Sequence, residues 1–279
     1  MQITMEQLIR SVGNVPPLPQ AAHKALALVR DPESNISDLA RVIALDQVMA
    51  GLVLRWANSA YYSVGHQVST VHQALIMLGM STTGNLILSK MMYGVMDKAL
   101  PGYELERGQL WRRSVGTATG AQLLASRFGT KVADEAYHAG LLCDIGKLAI
   151  EMLLREQDLD QPDWQKGAFD HAETEHFGLD HAEVGGLIAR HWQLPESLID
   201  AIANHHKPNL AAQNLKVVSA VHVSDAAMMI LGQELGADGL RYELDPVAVE
   251  CLNFREQDME RLCMDMMAQL SKIYNMLDD

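Results

Sequence analysis

Apolar residues recur at helical spacing along most of the chain, and no stretch alternates with the two-residue period of a half-buried strand. Leu39, Val42 and Ile43 fall on one face of a segment capped by Ser37 and running over Asp38–Leu45. Val48, Leu52 and Trp56, spaced by four, mark a helix over Gln47–Asn58. Breakers separate such segments: the Gly13–Pro19 run (GNVPPLP), Gly79, the Pro101-Gly102 pair, Gly129, Pro195 and Pro208. Thr4 with Gln7 can box the first helix, Met5–Val12, and Pro19 or Gln20 opens one to about Arg30. Ser69 starts a helix to Leu78, and Ser81 another to about Met96. Glu104–Phe128 reads as one long helix, and Lys131–Arg155 as another interrupted at Asp144–Gly146. Trp164–Phe177 follows, then a helix capped by Asp180 with Glu183 that runs to Trp192. Glu196–His205, Leu215–Glu234, Val247–Leu252 and Glu256–Leu277 complete the pattern. The expectation is an all-α protein without internal repeats.

Charge adds a division. Residues 1–100 carry 7 basic and 6 acidic side chains, residues 101–200 carry 9 and 17, and residues 201–279 carry 6 and 12. The change falls beside the Pro101-Gly102 break. The expected organisation is therefore a small N-terminal helical bundle over 1–100, packed on a C-terminal bundle over 101–279. The two parts are expected to share a core through the Val15–Pro19 and Tyr61–Ser69 loops. The total of −13 over 279 residues disfavours nucleic acid and anionic membrane as partners, since both require a basic footprint. No apolar run reaches the ~18 residues of a membrane span, and Met1–Arg10 is too polar for a signal peptide. Cys143, Cys251 and Cys263 show neither paired nor metal-ribbon spacing, so a reducing cytoplasm is expected. Methionines (16) outnumber the aromatics, which suits adaptable helix-on-helix packing.

The chemistry concentrates downstream. Seven of the 11 histidines (His171, His176, His181, His191, His205, His206, His222) lie within residues 171–222. Histidine ligates metals and transfers protons, but it also caps and covers helices. Cys143-Asp144 sits at a helix break, where a carboxylate can enter a cleft. His205 and His206 end a helix, and adjacent helical residues diverge by ~100°, so at most one is expected to face a given site. Asp225 lies deep in an apolar helix and needs a partner if buried.

At these residues the sequence resembles a known family. AGLLCDIGKL (Ala139–Leu148) is similar to the His-Asp motif of HD-superfamily metal phosphohydrolases, with Cys143 where the motif has His. LWRRS (Leu110–Ser114) resembles their upstream W-x-H-S element, with Arg113 in the histidine position. His181, His205-His206 and Asp225 resemble later positions. More narrowly, the chain resembles the HDOD domain, the HD-related output domain of bacterial signalling proteins. VPPLP (Val15–Pro19), VLRWANSAYYS (Val53–Ser63) and VHQALIMLG (Val71–Gly79) are similar to its upstream elements. The resemblance runs over about residues 13–208 and leaves 209–279 as a helical extension. It implies an HD-like C-terminal bundle and a role in signal transduction.

The departures weigh on the chemistry. An HD site of the family pattern would use positions 113, 143, 144 and 225 for metal. Arginine has no lone pair to give, and a fixed cation repels an incoming one. No catalytic residue and no cofactor are expected from this degenerate site (Arg113, Cys143, Asp144, His181, His205, His206, Asp225). Arg113 is expected to pair with Asp144 or Asp225 in the metal's place. The expected function is non-catalytic regulation by binding a signalling protein or a small nucleotide. The alternative is a phosphohydrolase acting on a nucleotide or phosphoester, its divalent metal held by Asp144, His181, His205, His206 and Asp225. A cyclic-dinucleotide receptor is a weaker reading, because Arg112-Arg113 is the only arginine pair and its members diverge. Arg55, Asn58 and Tyr61 form a possible interface, although Asn58 and Ser59 also suit a helix-ending turn.

Overall fold

The computed structural model describes residues 5–31, 33–59, 61–62, 67–156, 169–232 and 243–278. Among these the fold is all-α. The helices are α1 (Met5–Asn14), α2 (Gln20–Arg30), α3 (Ile36–Ala44), α4 (Gln47–Ala57), α5 (Val71–Leu78), α6 (Met80–Met96), α7 (Gln109–Ala125) and α8 (Thr130–Leu142). They continue with α9 (Gly146–Glu156), α10 (Phe169–Phe177), α11 (His181–His191), α12 (Glu196–Ala203), α13 (Leu215–Ile230), α14 (Pro246–Cys251) and α15 (Glu256–Asp278). The described residues form no sheet; Leu100 and Leu105 make one isolated bridge. No helix among them is long and apolar enough to cross a membrane.

The chain divides into two compact units, and both are discontinuous. Unit 1 comprises residues 1–17 and 95–267; unit 2 comprises residues 18–94 and 268–279. Set beside the linear division at residue 100, this places α1 with the downstream helices and the chain's last turns with the upstream ones.

Unit 1 is built around α13. Every residue from Val217 to Met229 is buried, so this helix has no wet face. Its run of β-branched residues costs helix propensity. Burial offsets that cost at ~1.5–3 kcal/mol per large apolar side chain. α13 packs on α7 and α8. The approach to α7 is close enough that a Cβ on Gly120 would stand 2.2 Å from Ser224 Oγ. Ser224 Oγ itself donates to the Thr117 carbonyl at 2.7 Å.

Unit 2 centres on Leu39, Ile43, Val53, Trp56, Leu75, Leu88 and Met92, all nearly free of solvent exposure. The end of α15 is fastened here by donors to its last carbonyls, which no helical N–H can reach. The Trp56 indole donates to the Met276 carbonyl at 2.8 Å, and the Lys90 ammonium donates to that of Leu277.

Helix starts differ from expectation where another side chain reaches the free amides first. Asn35, not Ser37, caps α3: it is extended (φ −129°, ψ 172°), accepts from the Ser37 and Asp38 amides, and completes a capping box with Asp38. Thr70, not Ser69, caps α5. α7 begins at Gln109 rather than Glu104, because Pro101–Tyr103 forms a 3-10 turn and Glu104 is left-handed at φ 54°. α12 ends at Ala203, before His205. The break expected at Asp144–Gly146 is present, between the end of α8 and the start of α9. The Asp180–Glu183 box also forms. Thr4, Trp164 and Glu234 lie outside the described residues.

Candidate functional site

The predicted site residues converge inside unit 1. Arg113 is on α7, Asp144 in the break between α8 and α9, His181 at the first position of α11, and Asp225 on α13. The break is held by a backbone contact. A Cβ on Gly146 would lie 2.0 Å from the His181 carbonyl oxygen, so only glycine lets α9 start against the start of α11. That contact brings Asp144 and His181 together.

Arg113 is 1% exposed and occupies the centre. Its Nε donates to Asp144 Oδ2 at 3.0 Å and a terminal nitrogen donates to Asp225 Oδ1 at 2.9 Å. The expected ion pair therefore forms, and with both carboxylates. Asp144 Oδ1 lies 2.9 Å from Lys147 Nζ and 3.1 Å from His181 Nε2. Burial pushes the Asp144 carboxyl up, but Lys147, His181 and Arg113 together hold it well below the usual carboxylate range.

His181 is the second hub. Its Nδ1 lies 2.7 Å from Glu173 Oε2, and its Nε2 lies 2.9 Å from His206 Nε2. Burial alone would lower its pKa. The Glu173 charge and the hydrogen bonds to Asp144 and Glu173 overcome this and push it up to about 10. His181 is thus an imidazolium, donating through Nδ1 to Glu173 and through Nε2 toward Asp144 and His206. Glu173 is fully buried and also accepts from the Tyr103 hydroxyl at 2.6 Å and from the His181 amide at 2.7 Å. Three cations, Arg113, Lys147 and His181, therefore meet three carboxylates, Asp144, Asp225 and Glu173, in one closed cluster.

His205 and His206 both join it, contrary to the expectation that only one would. The divergence argument holds for helical neighbours, but α12 ends before them and their rings lie 3.9 Å apart, centre to centre. His205 is fully buried, and its Nδ1 donates to the Ile202 carbonyl at 2.8 Å, which leaves the Nε2 lone pair facing inward without a hydrogen-bond partner. Burial, and then the neighbouring His181 charge, lowers its pKa and keeps it neutral. His206 is held neutral by burial, His205 and His181. His222 ties two segments together, its Nδ1 donating to the His205 carbonyl and its Nε2 accepting from the Asp245 amide. His171, His176 and His191 are exposed.

Cys143 is buried, and its thiol points at the Gly140 carbonyl. Burial and the charges of Asp144 and Asp225 push it well above the usual thiol range, so it stays a thiol rather than a thiolate. Two groups could gather donors around an ion: Cys143, Asp144 and His205, or His181, His205 and His206, with candidate atoms within 4.8 Å of one another. Of these donors, only the His205 Nε2 lone pair is both neutral and without a hydrogen-bond partner. Arg112, by contrast, is exposed while Arg113 is buried, so the arginine pair does not act on one ligand.

Sequence reading missed Glu173, Tyr103 and Lys147 as members. Lys147 lies within the CDIGK motif, three residues after Asp144. Glu173 sits in a polar helix (FDHAETEHF) among other acids, and nothing in that string marks it as fully buried. Tyr103 was hidden by the break that it follows.

The family model of the HDOD domain matches residues 15–208. The chain belongs to the HDOD family. It is 24% identical to a crystallised HDOD domain protein of unknown function from Geobacter sulfurreducens, with a TM-score of 0.71 over 99% of each chain. A protein from Shewanella amazonensis SB2B, provisionally named a phosphohydrolase, is 25% identical with a TM-score of 0.59 over 95% of this chain and 98% of its own. One from Marinobacter aquaeolei VT8, provisionally named for signal transduction, shares the fold (18% identity, TM-score 0.75), covering 98% of this chain and 65% of its own. An uncharacterised protein of Treponema pallidum (strain Nichols) is 25% identical over 232 residues, 80% of this chain; the match spans 44% of that relative's length. These likenesses place the fold among HDOD proteins.

Proposed function

We propose that this chain is a non-catalytic regulatory module of bacterial signal transduction, working in the cytoplasm by binding a signalling protein. In this reading its HD-type site has exchanged metal for protein cations. The observation that carries it is the Arg113 guanidinium seated between Asp144 and Asp225. Those two carboxylates stand where the family pattern has metal ligands, and each already holds a charge-assisted hydrogen bond. The donors around them do not fit a hard divalent cation: Arg113 has no lone pair to give, and Cys143 is a soft, buried thiol. A divalent ion entering this buried cluster would have to take Asp144 and Asp225 from the Arg113 guanidinium, and so strip a buried cation of the two carboxylates it pairs with. The shape of the fold is retained, and shape is what a binding module requires.

One observation favours the other reading, a metal-dependent phosphohydrolase acting on a phosphoester. The buried His205 Nε2 offers a free lone pair beside Asp144. Hydrolysis of bis(p-nitrophenyl) phosphate with added Mn²⁺ or Fe²⁺ separates the two. The regulatory reading predicts no turnover above the protein-free blank. Turnover that disappears in Asp225→Asn would overturn it.

A further inference from the structure

Unit 1 carries a patch of surface charge that works against its own fold. Arg127, Lys131 and Lys216 are exposed, although residues 101–279 hold 29 acidic side chains against 15 basic ones. Two of the three share one aromatic ring. Lys216 Nζ lies 4.7 Å and Arg127 Cζ 4.9 Å from the centre of the Phe128 ring. The two charges therefore stand within about 10 Å of each other, close to one Debye length. Lys131 comes three residues after Phe128, which keeps their Cα atoms within about 11 Å.

Neither lysine helps its helix. Lys131 is the second residue of α8 and Lys216 the second of α13. The first turn of a helix carries partial positive charge, which favours acids and disfavours cations. Both first turns lack an acid, and the residues before them, Gly129 and Asn214, give no side-chain cap. The Asn214 amide donates to Glu135 Oε2 on α8 at 3.3 Å, so the two helix starts adjoin.

The charges are also uncompensated. Arg127 donates to the Leu252 carbonyl, a neutral group, and among the described residues none of the three cations forms an ion pair. Asp134 and Glu135, the acids nearest to Lys131 in sequence, are each 6% exposed and accept from the Gln122 and Asn214 amides. Glu250, two residues before Leu252, is exposed and pairs with none of the three.

We propose that this patch docks a short acidic segment of a partner protein, whose carboxylates take Arg127, Lys131 and Lys216 as counter-charges. The proposal supplies a partner chemistry for the regulatory reading above and rests on it. Like charges gathered at two helix starts cost the fold stability, and an arriving anion relieves that cost. Complementary charge of this kind also speeds encounter and rejects wrong partners. The patch suits a few carboxylates better than nucleic acid. A duplex carries a charge every ~1.7 Å and is held along a longer basic track, and the net −13 of the chain repels it.

Fluorescence anisotropy of a fluorescein-labelled octaglutamate peptide with the full chain tests this. The peptide should bind saturably at ~20 mM NaCl and several-fold more weakly at ~200 mM, because exposed charges are screened. An octaglutamine peptide should not bind. Lys131→Glu and Lys216→Glu should each weaken the acidic peptide by about tenfold. Neither lysine side chain holds a hydrogen bond among the described residues, so both variants should fold, and circular dichroism melts check this. Lys98→Glu, the same change of charge at another exposed position of unit 1, should bind as wild type. No saturable binding, or an equal loss in Lys98→Glu, would overturn the proposal. So would displacement of the peptide by inorganic phosphate at lower concentration than by unlabelled octaglutamate, which would make this a phosphate site. Self-association in sedimentation velocity that Lys216→Glu abolishes would overturn it as well, since the occupant would be a second copy. Failure of the peptide alone removes only this surface, whereas turnover in the phosphodiester assay removes the regulatory reading itself.

Discussion

The two units of this chain use similar residues to opposite effect. In unit 1, Arg113 and Lys147 are nearly inaccessible, and with His181 they are matched by three buried carboxylates. In unit 2, Arg55 and Lys272 are exposed to solvent. A cation that is desolvated must be neutralised by its own protein. One left at the surface keeps its hydration and its capacity to attract an anion. The difference teaches that an arginine's surroundings, more than its presence in a motif, determine whether it holds a fold together or meets a ligand.

The sharpest way to break this comparison is to remove the buried cation. Arg113→Met should cost about 3–5 kcal/mol, because it strands Asp144 and Asp225 without their partner. Urea denaturation reads this directly. Adding Asp144→Asn and Asp225→Asn to that variant should recover part of the loss; no recovery would mean that packing, rather than charge, sets the cost.

Overfilling the contact that shapes the site should come next. Gly146→Ala places a methyl group against the α11 backbone, and a cost of ~1–3 kcal/mol or more is expected from such overpacking. The same denaturation series checks it, and stability equal to wild type would show that the two helices separate freely.

pH sharpens the comparison further. His181 has its pKa raised from 6.5 to about 10 in the folded state. Its contribution is therefore fully present below pH 6.5 and is lost as pH rises toward 10. The limiting slope is about 1.4 kcal/mol per pH unit. Cys143 also disfavours alkali, since its folded thiol is raised, but it acts only above the unfolded thiol's ~8.5. His205, His206 and His222, lowered in the fold, give the opposite slope until about a unit above 6.5, so the interval from about pH 7.5 to about 8.5 reports His181, and His181→Gln should flatten stability there. A wild-type curve already flat over that interval would contradict a buried imidazolium.

The smallest effect is expected in unit 2. Arg55→Gln should change stability by no more than about 0.5 kcal/mol, as exposed substitutions usually do. A larger loss in thermal or urea melts would mean that this arginine, like Arg113, is part of the scaffold.

Much of this was legible in the sequence, for reasons that also explain the rest. Helical spacing and Pro/Gly breaks locate most helices, because burial of one face leaves a periodic trace. α13 is the extreme case, apolar on every side, and its lone Asp225 pointed to a buried partner. The Arg113 pairing was readable because a carboxylate at 144 or 225 needs a cation once metal is set aside. Helix starts were less readable: Asn35 and Thr70 outcompete nearby serines by backbone conformation, which a string of letters does not carry. Glu173 was unreadable, since one acid among several in a polar helix looks solvated until Tyr103 and His181 are seen to enclose it. The joint arrival of His205 and His206 depended on α12 ending before them.

The central claim is that protein cations stand where the HD pattern has metal. Elemental mass spectrometry on protein purified without a His tag or chelator, incubated with Mn²⁺, Fe²⁺ or Zn²⁺ and dialysed, tests it most directly, beside an Arg113→His/Cys143→His variant that restores the motif. The account predicts no stoichiometric metal in the wild-type chain and retained metal in the restored variant. One or more tightly held ions per wild-type chain would contradict it and give the phosphohydrolase reading precedence.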